Sequence, residues 1–220
     1  MKAMILAAGR GERMRPLTDS TPKPLLMAGS KRLIEYHLLS LAKAGFEDVV
    51  INVAWLGQKI IDTLGNGEAY NLNIIYSNEK EQALETGGGI YNALPLLGNQ
   101  PFLVINGDVW TDYPFKKLYD YPLTDKAHLV LVKNPDHNSG GDFYLTDDRL
   151  NEDGTEKFTY SGIGVYSADF FSQSNNKKFP LAPMIRQAIS ENNISGELYD
   201  GNWMDIGNQQ RLNDLIKMSE

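Results

Sequence analysis

The chain has 220 residues, of which 42% are hydrophobic and 22% are charged, a composition typical of a single globular domain with a sizeable core. It contains no cysteine, which excludes disulfide frameworks, thiolate metal sites and cysteine nucleophiles. Its net charge of −7, from 21 basic and 28 acidic residues with no basic tract, argues against nucleic acid as a partner.

The first predicted element is a buried strand over Lys2 to Leu6. The apolar run from Ala3 to Ala8 that contains it is too short for a signal-peptide core or a membrane span, and charged residues follow it closely. We therefore expect a soluble, cytoplasmic protein without a membrane partner.

A loop rich in glycine, arginine and proline follows this strand and reads GRGERMRPLTDSTPKP from Gly9 to Pro24. A glycine-rich turn after a parallel strand lets backbone N–H groups converge on a phosphate. The loop fits neither the dinucleotide fingerprint nor the P-loop pattern. Its prolines exclude a regular helix and predict an extended segment. It also gathers the basic residues Arg10, Arg13, Arg15 and Lys23.

Beyond this loop, apolar periodicity predicts alternating helices and strands. The predicted elements of the first half are a helix over 33–44, a strand over 48–55, a helix over 58–64, a strand over 72–77, a turn at 87–89, a helix over 90–97 and a strand over 101–108. This order predicts an α/β fold with an open, mainly parallel sheet and helices on both faces.

The rhythm changes in the second half of the chain. The predicted elements there are strands over 127–132 and 161–167 around a polar, hairpin-like region, a helix over 181–191, a strand-like segment over 202–207 and a last helix over 209–218. There is no internal repeat and no long linker, so we expect one domain over residues 1–220.

The segment LAAGRGERMRPLTDSTPKPL, from Leu6 to Leu25, resembles the signature of the sugar-phosphate nucleotidyltransferases, or NDP-sugar pyrophosphorylases. The resemblance implies a Rossmann-like nucleotidyltransferase fold, with a mixed, mostly parallel central sheet flanked by helices and a small sugar-binding subregion. It also implies an enzyme that joins an NTP to a sugar 1-phosphate and releases pyrophosphate. Residues 1–112 would then mainly bind the nucleotide and residues 113–220 the sugar phosphate.

Two distant aspartates are candidate metal ligands. Asp108 ends a predicted strand, where open parallel sheets bind their ligands, and Asp205 lies in the late NWMDIG segment. Each alone is as readily a turn residue. Both stand in motifs that match the family, so the resemblance implies that they hold Mg²⁺, while Arg13 holds the triphosphate and Lys23 contacts the α-phosphate region.

Phrases along nearly the whole chain, among them INVAWLGQKI and ALETGGGI, resemble a short bacterial branch of this family, the N-acetylmuramate α-1-phosphate uridylyltransferases. The branch implies UTP and N-acetylmuramate 1-phosphate as substrates, in peptidoglycan recycling. The implied nucleotide contacts are Ala8, Gly9, Gly11 and Gly88, and the implied sugar contacts are Glu85, Asn106, Ser161 and Gly162.

One motif of many relatives is incomplete here. Their Glu-Lys-Pro lysine contacts the sugar phosphate, but this chain has only Glu156-Lys157-Phe158, a few residues before the predicted strand, and we assign no role to Lys157. The residue that neutralises the sugar phosphate, or a lactyl carboxylate, is therefore open.

Two alternatives are retained. One is a related enzyme with another substrate pair, such as a mannose-1-phosphate guanylyltransferase or a phosphocholine cytidylyltransferase. The other is an inactive relative that senses nucleotide sugars. Such a protein should have lost a phosphate or metal ligand, whereas Arg13, Lys23, Asp108 and Asp205 are all present. The three histidines share no metal-ligand spacing and are predicted to be structural or exposed. We expect a monomer or a weak homo-oligomer.

Overall fold

A computed structural model describes residues 1–80, 83–172 and 178–218. The strands are β1 (Lys2–Leu6), β2 (Met27–Ala28), β3 (Lys31–Arg32), β4 (Asp48–Val53), β5 (Asn73–Asn78), β6 (Phe102–Asn106), β7 (Val109–Thr111), β8 (Ala127–Val132), β9 (Phe143–Thr146), β10 (Arg149–Asn151), β11 (Lys157–Tyr166), β12 (Ile194–Tyr199) and β13 (Trp203–Asp205). The α-helices are α1 (Leu17–Ser20), α2 (Leu33–Ala44), α3 (Gly57–Leu64), α4 (Glu85–Leu97), α5 (Lys116–Tyr119), α6 (Ala182–Ser190) and α7 (Gln209–Met218).

A central sheet organises the chain, with the strand order β5-β4-β1-β6-β11-β8-β12-β10-β9. Strands β5, β4, β1 and β6 are parallel, as the alternation in the first half predicted. Strand β11 runs antiparallel to β6 and β8, and β8 is parallel to β12. The expected α/β fold with a mixed sheet is confirmed. Because β1 and β6 are neighbouring parallel strands, the loops at their carboxyl ends meet at one edge of the sheet.

The sheet separates two apolar cores, and alternate side chains of each central strand enter opposite ones. In β1, Ala3 and Ile5 pack with α2 and α3, whereas Met4 packs on the other face with α4 and α6. A third, smaller cluster lies beneath the opening loop and joins Met14 to residues of α7. This cluster fixes the loop and the C-terminal helix to each other.

Several elements agree closely with the sequence predictions. Helix α2 has the predicted bounds and ends at Gly45, whose φ of 96° favours glycine. Helix α7 and strand β8 also have their predicted bounds, and the hairpin-like region contains the antiparallel pair β9 and β10. No helix in the three described ranges is long and apolar enough to cross a membrane.

The prediction of a turn at Gly87 to Gly89 was wrong, because these glycines lie inside α4. Their role is close packing: a Cβ on Gly87 would meet the Phe179 ring at 2.5 Å, and one on Gly89 would meet the Glu79 carboxylate at 2.7 Å. The glycines therefore let the first turns of α4 approach their neighbours at a cost in helix propensity.

The opening loop is not extended, contrary to the prediction. It folds into short helical turns at Glu12–Met14, Leu17–Ser20 and Lys23–Leu25. The prolines stand before or within the first turn of such segments, where a missing N–H is tolerated, and they prevent a longer helix. The loop is consequently compact, and its basic side chains point in different directions.

Candidate active site

A cleft with a volume of about 350 Å³ opens at the carboxyl edge of β1 and β6. Its wall is formed by the opening loop, the start of α4, the end of β6 and the turn after β13. The lining residues are Leu6, Ala7, Ala8, Gly9, Gly11, Glu12, Arg13, Met14, Lys23, Pro24, Asn52, Glu79, Ala83, Glu85, Thr86, Asn106, Gly107, Asp108 and Gly207. The structure thus brings eight of the predicted site residues to one cleft: Ala8, Gly9, Gly11, Arg13, Lys23, Glu85, Asn106 and Asp108.

The four basic residues of the opening loop divide into two pairs. Arg10 and Arg15 both bind Asp19, at 2.9 and 2.8 Å, and the Arg10 guanidinium also lies 3.9 Å above the centre of the Trp55 ring. These contacts hold the outside of the loop together. Arg13 and Lys23 line the cleft instead, so they are the loop cations available to a bound anion.

Lys23 is 9% exposed, and its Nζ lies 2.8 Å from Oδ2 of Asp108. Burial of an ammonium group is costly unless an opposite charge and hydrogen bonds compensate it, and this carboxylate supplies both. The pair joins the phosphate loop to the end of β6, the two features from which the sequence predicted the site.

Asp205 lies next to Asp108 because β13 pairs with β7. The register places Asp205 opposite Val109, and the N–H of Ile206 donates to the carbonyl of Asp108 at 2.6 Å. Oδ1 of Asp205 accepts a hydrogen bond from Nη1 of Arg211 and lies 2.8 Å from Nε2 of His137. Asp205 does not itself line the cleft, but Gly207, two residues later, does.

A buried polar network closes the other end of the cleft. Asn52 accepts a hydrogen bond from the Ala7 N–H at 2.7 Å and donates to Oε1 of Glu79 at 2.6 Å. Oε2 of Glu79 accepts from the Leu84 N–H at 2.7 Å. Glu79 is 6% exposed, and burial raises the pKa of its carboxyl. The two donors orient a carboxylate that has acceptor capacity left toward the cleft.

Ser161 and Gly162 lie behind the wall rather than on it. They form an irregularity in β11, where the pairing with β8 shifts between Tyr160 and Ile163. The Ser161 hydroxyl donates to the Val130 carbonyl at 2.6 Å. Gly162 has a φ of 80°, and a Cβ there would lie 2.5 Å from Nδ2 of Asn106. This bulge therefore makes the space in which Asn106 reaches the cleft.

The two predicted contacts in α4 also differ in placement. Glu85 is exposed and lines the cleft. Gly88 is buried, does not line the cleft, and its N–H donates to the Phe179 carbonyl at 3.0 Å. Thr86 lines the cleft together with Glu85, so the start of α4 contributes to its wall, whereas Gly88 does not.

The donor set fits a hard divalent cation of the Mg²⁺ type. Two carboxylates, Asp108 and Asp205, are adjacent beside a cleft that carries phosphate-binding features. Asp108 is paired with the basic side chain of Lys23, and Asp205 with that of Arg211. The described ranges contain no group of three or more His, Cys, Asp or Glu residues arranged for a metal. A divalent cation held by the two carboxylates would need further ligands, which for Mg²⁺ are commonly phosphate oxygens and water.

Residues 2–141 match the family model described as "Nucleotidyl transferase". The chain belongs to this family. The match covers the phosphate loop, strand β6 and Asp108, so the nucleotidyltransferase fold and the enzyme class expected from the sequence are confirmed.

Relatives extend the similarity over nearly the whole chain of this nucleotidyltransferase. It is 51% identical to the N-acetylmuramate α-1-phosphate uridylyltransferase of Neisseria meningitidis, over 97% of this chain and 96% of the relative. It is 33% identical to the protein of that name from Caulobacter vibrioides, over 94% and 92%. A mannose-1-phosphate guanyltransferase of Saccharomyces cerevisiae is 41% identical, over 58% of this chain and 35% of its own.

Solved structures share the nucleotidyltransferase fold at lower identity. The HddC protein from Yersinia pseudotuberculosis, complexed with GMP-PN, is 22% identical, with a TM-score of 0.82 over 100% of this chain and 99% of the other. A UDP-glucose pyrophosphorylase complexed with UDP-glucose is 19% identical, with a TM-score of 0.81 over 99% and 97%. The chain thus shares its architecture with these solved structures.

Sequence reasoning missed several polar residues at or beside the cleft, among them Asn52, Glu79, His137 and Arg211. Asn52 left a readable signal, because it is a polar residue inside the apolar run VVINV of a central strand. Glu79 follows a parallel strand, as Asp108 does, and ligands of open parallel sheets bind at the carboxyl ends of the strands. The argument that identified Asp108 therefore also applied to Glu79. Arg211 and His137 left no such signal, since each looks like a surface residue until the fold brings it to Asp205.

Proposed function

We propose that this nucleotidyltransferase transfers the uridylyl group of UTP to N-acetyl-α-muramate 1-phosphate and releases pyrophosphate. The observation that carries the proposal is the 51% identity to a uridylyltransferase of that acceptor over nearly the whole of both chains. The cleft supports the reaction class independently, because it combines a phosphate loop, cations and adjacent carboxylates.

The acceptor phosphate supplies the nucleophile. A sugar 1-phosphate is largely dianionic at neutral pH, so its oxygen can attack the α-phosphorus without a general base. The obstacle is repulsion between this dianion and the triphosphate. We assign to Arg13 and Lys23 the task of neutralising the phosphate charges that repel each other, since they are the basic loop residues that line the cleft.

Asp108 and Asp205 would hold Mg²⁺, which supplies charge neutralisation and Lewis acidity at the phosphate oxygens when bound. The residues of the chain then have separate tasks. Backbone groups at Ala8, Gly9 and Gly11, with Gly88 behind them, form the nucleotide side. Glu85 and Asn106 face the sugar, and Ser161 and Gly162 shape the wall behind Asn106.

Glu79 supports a uracil nucleotide. Its oriented carboxylate can accept a hydrogen bond from N3–H of uracil, whereas N3 of cytosine and N1 of adenine are acceptors and would be repelled. The N1–H of guanine is also a donor. GTP is therefore the second candidate, in a mannose-1-phosphate guanylyltransferase reaction like that named for the yeast relative.

In the cell we place the reaction in the cytoplasm, in recycling of the peptidoglycan sugar, where its acceptor would arise. Residues 1–112 would bind mainly the nucleotide and residues 113–220 mainly the sugar phosphate. The cleft is formed within one chain, which is compatible with a monomer or a weak homo-oligomer.

Pyrophosphate release tests the proposal when it is measured with each of the four NTPs and a panel of sugar 1-phosphates. We expect the highest kcat/KM with UTP and N-acetylmuramate 1-phosphate, and dependence on added Mg²⁺. Higher kcat/KM with GTP and mannose 1-phosphate would favour the second candidate. No pyrophosphate with any pair, together with nucleotide-sugar binding, would instead indicate an inactive sensor.

A further inference from the structure

Arg211 lies at the wall of the cleft although it comes from the C-terminal helix α7. Its side chain is 16% exposed, and Nη1 donates to Oδ1 of Asp205. A Cβ on Gly207 would overlap Nη2, so the guanidinium packs directly against a residue that lines the cleft. A cation is therefore built in beside the cleft, where α7 packs against the opening loop.

The hydrogen-bonding capacity of this guanidinium is incompletely used. Its Nε is buried and has no hydrogen-bond partner in the part of the chain that the structure describes. Burying a charged donor without an acceptor is costly, so the unpaired Nε calls for an explanation, and an anionic ligand of the guanidinium is one. A guanidinium also presents a planar fork of N–H groups that matches the oxygens of a phosphate or a carboxylate.

His137 lies beside Arg211 and is fixed there by its own segment. Its Nε2 is 2.8 Å from Nη1 of Arg211 and 2.8 Å from Oδ1 of Asp205. The next residue, Asn138, donates to Oγ1 of Thr159 at 3.1 Å, which ties the segment to β11. The cluster of Arg211 and His137 thus joins α7 to the part of the chain expected to bind the sugar.

The charges around the two carboxylates form two separate pairs. Lys23 neutralises Asp108 from the opening loop, and Arg211 neutralises Asp205 from α7. A divalent cation held by these carboxylates would compete with both side chains for them. Each of the two basic side chains would then be available to a substrate anion, and the reaction supplies two such anions, the triphosphate and the acceptor.

We propose that Arg211, with His137 beside it, forms the binding site for the anionic group of the acceptor substrate, the phosphate or the carboxylate of a sugar 1-phosphate. The proposal rests on the proposed function, because it requires an anionic acceptor. Arg211 would then neutralise the anionic group of the acceptor, the task that the lysine of a complete Glu-Lys-Pro motif has in many relatives. The acceptor would bind next to Arg211 and the nucleotide next to Lys23.

The test is binding and turnover of the acceptor in Arg211→Gln. With a non-hydrolysable UTP analogue and Mg²⁺ present, we expect calorimetry to show that the acceptor Kd rises about tenfold or more, the loss typical of one charged hydrogen-bonded contact. The acceptor KM should rise in parallel, while the KM for UTP changes less than about twofold. Arg211→Lys should recover part of the loss because it keeps the charge without the planar fork.

Two acceptors distinguish the anion that is bound. A loss with both N-acetylmuramate 1-phosphate and N-acetylglucosamine 1-phosphate, which lacks the carboxylate, assigns Arg211 to the phosphate. A loss with the first alone assigns it to the carboxylate. Arg186→Gln is the matched control, since Arg186 is half-exposed and paired with Glu152 on the surface. Both acceptor constants should be unchanged in this variant.

The alternative is that Arg211 acts only by positioning Asp205. Mn²⁺ binding to the complex with the UTP analogue, followed by electron paramagnetic resonance, separates the two roles. Weaker Mn²⁺ binding and a raised KM for UTP in Arg211→Gln, or unchanged acceptor binding, would overturn the proposal. If the wild-type protein prefers a different sugar phosphate, the proposed substrate fails, but the same comparison with that acceptor still decides the role of Arg211.

Discussion

Nζ of Lys23 and Oδ2 of Asp108 lie 2.8 Å apart and join two segments that are 85 residues apart in sequence. The lysine comes from the phosphate loop after β1, and the aspartate comes from the end of β6, the neighbouring parallel strand. Asp205 has the corresponding contact with Arg211. Both candidate metal ligands are therefore already paired with basic side chains of the chain.

Lys23→Ala should lower kcat by about two orders of magnitude, because an ammonium group that stabilises charge developing on phosphate oxygens is lost. Steady-state pyrophosphate release measures the effect. Lys116→Ala is the control, since Lys116 is exposed, contacts Asp120 and the Tyr119 ring at the surface, and does not line the cleft. A raised KM with unchanged kcat would limit Lys23 to ground-state binding of substrate.

Asp108→Ala and Asp205→Ala should each abolish most turnover while the protein remains folded, because half-buried carboxylates beside a cleft contribute little to the apolar core. Circular dichroism and thermal unfolding check the fold, and Mg²⁺-dependent pyrophosphate release checks turnover. Asp120→Ala, at an exposed ion pair, should retain full activity. Turnover near the normal rate in either variant would remove that residue from the metal site.

The sequence predicted what depends on short-range pattern. Helix α2 and strand β1 were found with their bounds, because apolar periodicity and a terminal glycine define them locally. Gly87 to Gly89 were mistaken for a turn because the need for close packing against Glu79 and Phe179 is a tertiary contact that local pattern does not contain.

The same distinction applies to the site. Arg13, Lys23 and Asp108 were identified because they stand in a dense motif or directly after a strand. His137 was not, because it is distant from Asp205 in sequence and reaches it only through the packing of the segment before β9. Arg211 follows Asp205 by six residues, but the sequence does not show that the first turn of α7 directs its side chain back to that carboxylate. Such contacts leave little trace in the local pattern, so their chemistry becomes visible only in the structure.

Gly162→Ala should disturb the cleft from behind. The residue has a φ of 80°, and the new Cβ would lie 2.5 Å from Nδ2 of Asn106. We expect the free energy of unfolding to fall by about 1–3 kcal/mol and the acceptor KM to rise as Asn106 shifts. Gly140→Ala is the matched control, since a Cβ there meets nothing within 4 Å. Equal effects of the two substitutions would refute the argument.

His37 should make the stability of the fold depend on pH. Burial lowers its pKa from 6.5 to about 4, so the unfolded chain takes up a proton in this range before the folded chain does. The stabilisation is complete above pH 6.5 and is lost as the pH falls toward 4, by about 3 kcal/mol in total. Urea unfolding between pH 7.5 and 4.5 should give a shallower pH dependence for His37→Gln than for the wild type.

Glu79 should couple nucleotide choice to pH. Burial raises the pKa of this carboxyl above its usual 4.5, so the group becomes protonated at a higher pH than an exposed glutamate. The ionised form accepts from N3–H of uracil and repels N3 of cytosine, whereas the protonated form can donate to cytosine. The ratio of kcat/KM for UTP to that for CTP should therefore fall as the pH is lowered through the raised pKa of Glu79. Glu79→Gln should have a low ratio at every pH, and Glu47→Gln, at an exposed position, should follow the wild type. A ratio that is independent of pH in the wild-type protein and unchanged in Glu79→Gln would show that the base is selected elsewhere.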